Sequence, residues 1–266
     1  MNPTVNDIQL FLHNIAPNHF QESYDNSGLL VGNTRDEVRG IVVCLDSTEA
    51  VIDEAISLGA NMVVAHHPII FSGLKRITGR NYIENIVRKA IKNDINIFAI
   101  HTNLDNVYQN GVSTHIANKI GLKNIEILQK KEISYEDLPT GSGVIGQLNT
   151  PVDEMEFLQF LKSTMETDCV RYTNLLGKSI QNVALCGGSG RFLLEEAISQ
   201  EADIYISADF KYHEFFDAND KILIADIGHY ESEQFTIQML HRILTNKFNT
   251  FATHYTKVNT NPVNYL

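Results

Sequence analysis

Two stretches of this chain share one grammar, apolar strand-like runs alternating with amphipathic segments, and that alternation limits the fold most. In the first, residues 40–46 (GIVVCLD), 61–67 (NMVVAHH) and 95–101 (INIFAIH) read as buried strands, with helical spacing over 48–58 and 82–93. In the second, residues 182–186 (NVALC), 202–208 (ADIYISA) and 222–227 (ILIADI) read as strands, with helices over 192–200 and 211–218. Such β-α-β-α-β runs predict mostly parallel sheets covered on both faces and joined by right-handed crossovers. Cys44 and Cys186 lie 142 residues apart, as do Ala60 and Ala202, while the third strands align at an offset of 127. The shared offset predicts a structural duplication. Between the two stretches, residues 138–146 (LPTGSGVIG) are rich in turn-formers, residues 145–148 can start a strand, and a helix over 153–165 precedes a strand over 169–173.

The expected fold is therefore α/β, with two similar three-layer halves, mostly parallel or mixed sheets, and a site at strand C-terminal ends between the halves. The expected domains are residues 1–135 and residues 136–266, which can pack as one unit. Hydrophobic residues make up 43% of the 266, enough for a sizeable core. With 21 Lys and Arg against 32 Asp and Glu, the net charge of −11 lacks the basic footprint of a nucleic-acid binder. Three cysteines argue against a disulfide framework. Residues 1–7 do not read as a signal peptide, and no apolar run approaches the roughly 20 residues of a membrane span. A soluble cytoplasmic protein without nucleic-acid or membrane partners is expected.

The chemistry-bearing residues gather where strands end. His66 and His67 stand before Pro68, His101 precedes Asp105 by four residues, and His229 precedes Glu233 by four. Imidazole and carboxylate are ligands of divalent transition metals, and residues four apart share a helix face. In a regular strand His66 and His67 would point to opposite sides, so both can be ligands only if the chain turns at Pro68 or if they serve different ions. Five ligands exceed one tetrahedral site, which favours two ions sharing a carboxylate. Each cluster alone has a bland reading as a satisfied polar pair or a chance helical spacing; three at three strand ends point to metal.

Residues 24–32 (YDNSGLLVG), 44–46 (CLD), 65–68 (AHHP), 101–105 (HTNLD), 207–209 (SAD) with His213, and 228–233 (GHYESE) together resemble the GTP cyclohydrolase I type 2 homologue family, also called NGG-interacting-factor-like proteins. The resemblance spans nearly the whole chain. It implies a dinuclear metal site carried by His66, His67, Asp105, His229 and Glu233, with Zn, Mn, Fe or Ni not distinguishable, and a ring-shaped homohexamer. Two departures stand out. Tyr24 occupies a position where the family usually has Trp, and Ala208 stands in place of a Gly.

Other positions carry two readings each. Asp25 and Asn26 form a turn supporting Gly28 or stand at the site mouth. Asp46 supports a histidine or caps the helix at Thr48, and His101 is a hydrogen-bonding support or a proton shuttle. Asp209 and His213 are general acid/base candidates or part of a solvated helix start. Residues 187–190 (GGSG) are a phosphate cradle or a tight turn. The functional expectation is a metal-dependent hydrolase acting with metal-activated water on a small, nucleotide-like substrate. The alternative is a non-catalytic metal-binding adaptor or metal-handling protein.

Overall fold

The structure, a computed structural model, describes residues 2–131 and 138–266. The first part of the chain forms α1 (Val5–Ile15), β1 (Gly28–Val31), β2 (Gly40–Cys44), α2 (Glu49–Ser57), β3 (Met62–Ala65), α3 (Tyr82–Lys92), β4 (Asn96–Ala99) and the one-turn α4 (Thr102–Asp105). Then come α5 (Val112–Lys119), β5 (Lys123–Lys130), β6 (Gly141–Asp153), α6 (Glu154–Thr164), β7 (Arg171–Tyr172), β8 (Ser179–Ser189) and α7 (Leu194–Ser199). The last elements are β9 (Ile204–Ala208), β10 (Leu223–Asp226), α8 (His229–Glu233), α9 (Phe235–Lys247) and β11 (Ala252–Tyr255). By its contacts the chain forms two compact units, Met1–Leu104 with Thr236–Pro262 and Asp105–Phe235 with Val263–Leu266. The expected boundary between residues 135 and 136 lies outside the described residues. Among the described residues, no helix is long and apolar enough to cross a membrane.

The first unit holds a five-stranded sheet in the order β1-β4-β3-β2-β11. Strands β4, β3, β2 and β11 run parallel, and β1 closes one edge antiparallel. Val42, Cys44, Val63, Ala65 and Ile97 pack with Val51 and Ile52 of α2 and with Ile86 and Val87 of α3. The alternate residues Ile41, Val43, Met62 and Val64 are buried as well. On that side the ring of His13 in α1 approaches Phe98 to 5.7 Å. Cover on both faces explains why these strands read as unbroken apolar runs. Thr48 and Asn81 start α2 and α3 by accepting the backbone N–H groups of Val51 and Glu84.

The second unit holds a six-stranded sheet in the order β5-β6-β8-β9-β10-β7, with β8, β9 and β10 parallel and the rest antiparallel. Ala184, Tyr205 and Ile224 pack with Leu194 and Ala197 of α7. Asp153 caps α6, as its sequence position suggested, accepting from the N–H groups of Met155 and Glu156.

The duplication is visible in the registers. Ile41 pairs with Met62, and 142 residues later Val183 pairs with Ile204. Met62 pairs with Asn96, and Ile204 with Leu223, where the third strands are offset by 127. Each unit thus contains three parallel strands and an antiparallel edge, β2-β3-β4-β1 in one and β8-β9-β10-β7 in the other. Beyond that core they differ, since β11 joins β2 in parallel while β6 joins β8 antiparallel. The helix expected over 211–218 is a 3₁₀ helix, Tyr212–Ala218. Asp209 before it (φ 61°) and Asn219 after it (φ 46°) are left-handed.

Candidate metal centre

In the first unit, strand geometry ends at Ala65, where the His66 and His67 N–H groups still donate to the carbonyls of Cys44 and Leu45. Past the strand end, side-chain alternation no longer applies, and the two imidazoles lie 5.0 Å apart instead of on opposite faces. His66 is fully buried, with Nδ1 2.8 Å from the Ile100 carbonyl. A carbonyl only accepts, so Nδ1 carries the proton and Nε2 the lone pair. His67 Nδ1 likewise lies 2.8 Å from Asp46 Oδ1, and Asp46 Oδ2 accepts from the Thr260 hydroxyl at 2.8 Å. His101 Nδ1 donates to Asp25 Oδ1 at 2.7 Å, and its ring lies 5.4 and 5.3 Å from those of His66 and His67. Burial opposes ionisation of Asp25, but bonds from His101, Thr102 and Asn26 outweigh it and hold the carboxyl well below the usual range. Asp25 and Asp46 therefore orient imidazoles. Thr48, not Asp46, caps α2 through its side chain.

In the second unit, α8 sets His229 and Glu233 on one face, with His229 Nε2 3.1 Å from Glu233 Oε2. Donors held about 2.0–2.2 Å from one ion have a similar mutual spacing. On the other side of the ring, His229 Nδ1 meets Asp209 Oδ2 at 2.8 Å. Burial would lower the His229 pKa, but the Glu233 charge and the bonds to Asp209 and Glu233 push it up to about 11. Positive charge is thus strongly favoured between these two carboxylates. Burial, then the charges of Asp105 and Glu233, push the Cys186 thiol up to about 12, so both acids lie near that sulfur. Ala208 is the last residue of β9, and the left-handed position is Asp209, a residue type that tolerates it.

Residues 187–189 are the irregular end of β8, where its pairing with β9 shifts between Leu185 and Ser189, and Gly190 follows the strand. Gly187, Gly188 and Gly190 give their N–H groups to the hydroxyls of Ser113, Ser232 and Ser207. Gly188 is left-handed (φ 64°), and a Cβ there would meet Glu233 Oε1 at 2.2 Å. Ser113 had no signal in the sequence; Gly188, Ser207 and Ser232 lie in motifs that the sequence singled out, but their contacts were not legible because the partners are remote along the chain. The structure brings Asp209, His229 and Glu233 into one hydrogen-bonded row. His213 lies exposed on the 3₁₀ helix, its ring against Tyr212 and Phe216.

The Duf34/NIF3 (NGG1p interacting factor 3) family model matches residues 3–262. The chain belongs to this family. A relative from Clostridium perfringens (strain 13 / Type A) named GTP cyclohydrolase 1 type 2 homolog is 33% identical over 230 residues, 86% of each chain. A Staphylococcus epidermidis relative of the same name is 28% identical over 365 positions, covering 98% of this chain and 99% of the relative. That span exceeds the 266 residues here, so the relative holds residues without a counterpart in this chain. The crystal structure of Staphylococcus aureus hypothetical protein SA1388 superposes with a TM-score of 0.92 at 30% identity, covering all of both chains. The mixed α/β fold of this family member matches these relatives, and His66 and His67 in the first unit, like Glu233 in the second, are residue types that could ligate metal.

Proposed function

We propose that this Duf34/NIF3 protein is a hydrolase dependent on two divalent metal ions, with His66, His67, Asp105, His229 and Glu233 as ligands. One observation carries the reading: each of the three histidines gives Nδ1 to an acceptor 2.8 Å away, the Ile100 carbonyl, Asp46 or Asp209. Metal-bound imidazoles carry this second-sphere partner, which sets the tautomer, orients the ring and raises its basicity. The donor set of imidazoles and carboxylates suits Zn, Mn, Fe or Ni. Bound ions would lower the pKa of a water to near neutrality and polarise the bond under attack.

The chain's own residues do the rest. Asp46 and Asp209 hold His67 and His229 in the orientation that presents Nε2, and Asp209 and His213 are the candidates for moving a proton. Asp25, which accepts from the Thr102 N–H and hydroxyl, holds His101 beside the first histidine pair. The name of the relatives suggests a nucleotide-like substrate, and GTP hydrolysed with release of formate is the reaction to test first. The protein is purified without chelators, its metals are counted by elemental analysis, and formate is measured with GTP and Mn or Zn. Bound metal with turnover lost in His67→Ala and Glu233→Gln supports the reading. Metal without turnover of any hydrolysable substrate leaves a metal-handling protein, and absence of bound metal rejects the site.

A further inference from the structure

A cavity of about 580 Å³ in the second unit is walled by Arg171, Tyr172, Tyr212, Phe215, Phe216 and Asn219. Three of its rings stay at the surface despite their size: Tyr212 is 73% exposed, Phe216 67% and Tyr172 44%. Single exposed rings are ordinary, but three converging on one concave site leave apolar area in water that a flat ligand would cover. Tyr212 and Phe216 stand 5.7 Å apart at 72°, so one can offer a ring face where the other offers an edge. The wall's cation is already engaged. Arg171 pairs with Asp226, donates to the Phe210 carbonyl at 3.0 Å and lies 5.4 Å over the Phe215 ring. It is therefore poorly placed to take a phosphate, whereas Asn174, Asn219 and Asp220 offer neutral and acidic hydrogen-bonding edges.

We propose that this cavity binds a planar heteroaromatic ring, at the level of a nucleobase or nucleoside, by stacking on Tyr212, Phe216 and Tyr172. Asn219 and Asp220 read the polar rim of the ring, and a phosphate adds nothing. The site does not depend on the metal ligands, so failure of the metal reading leaves it standing. The test is isothermal titration of the full-length protein with adenosine, guanosine and their 5′-monophosphates. A nucleoside binds, its monophosphate binds no more tightly, and Tyr212→Ala and Phe216→Ala each weaken binding about tenfold. Tyr212→Phe retains binding, and metal content is the same in every variant. The proposal is overturned if no nucleoside binds at millimolar concentration, if both alanine variants bind like the parent, or if binding requires the phosphate. It is equally overturned if the alanine variants alter sedimentation without altering nucleoside binding, which would make the rings a protein contact.

Discussion

Asp46 and Asp209 do the same job from different strands of the duplicated core, Asp46 after β2 and Asp209 after β9, the counterpart of β3, each holding a histidine Nδ1 at 2.8 Å beyond the end of a parallel strand. Replacing either by Asn keeps the shape but removes the charge and allows the amide to donate, so the wrong imidazole tautomer is stabilised. Asp209→Asn and Asp46→Asn are each expected to lower metal affinity about 10–100-fold, read by competition with a chromogenic chelator. Unchanged affinity in both would remove the orienting role. Gly188 poses a different constraint, because a methyl group there collides with Glu233 Oε1 and the backbone is left-handed. Gly188→Ala is expected to cost about 1–3 kcal/mol in urea unfolding and to reduce metal binding. A variant as stable as the parent would mean that the irregular end of β8 relaxes freely.

Loops and helix starts hold the elements in place. Glu84, in the first turn of α3, accepts the Thr78 N–H and hydroxyl and the Arg80 N–H, tying down the loop before the helix. Backbone hydrogen bonds from Arg80 and Thr78 pull its carboxyl from the ordinary 4.5 down to about 2. A depressed folded-state pKa means stability present above 4.5 and lost as pH falls towards 2. The urea midpoint of the parent should therefore exceed that of Glu84→Gln at pH 7, and the gap should shrink between pH 4.5 and pH 2. A gap independent of pH would refute the carboxylate's part. At the same helix, Asn81→Ala removes the cap bonded to the Glu84 N–H and is expected to cost about 1 kcal/mol, measured in the same titration. The 3₁₀ helix Tyr212–Ala218 teaches a related lesson. Its apolar spacing reads as α-helical, but left-handed residues at Asp209 and Asn219 bound the segment, and periodicity does not see them.

For the molecule as a whole, bound metal should stabilise the native state by mass action. Adding Mn or Zn to chelator-treated protein is expected to raise the melting midpoint, and a midpoint indifferent to metal would count against the centre. Much of the architecture was legible: the strands over 40–46, 61–67, 95–101, 182–186, 202–208 and 222–227 all lie in the two sheets, and their offsets of 142 and 127 reappear as pairing registers. Strand β11 was not legible. Its burial is only partial, and its place beside β2 comes from a pairing over more than 200 residues that leaves no local pattern.

By itself, the sequence determined where the imidazoles and carboxylates fall and that they follow strand ends, because residue type and apolar spacing are local properties of a chain. Tertiary structure alone decided how they are used: that the chain leaves strand geometry at Ala65 and brings two imidazoles together, that Asp46 and Asp209 are histidine partners, and that Gly188 makes room for a carboxylate. Hydrogen-bond partners such as Asp46 and Thr260, 214 residues apart, meet only when the core has closed, and those hydrogen bonds then set which nitrogen is protonated and which carboxylate stays charged.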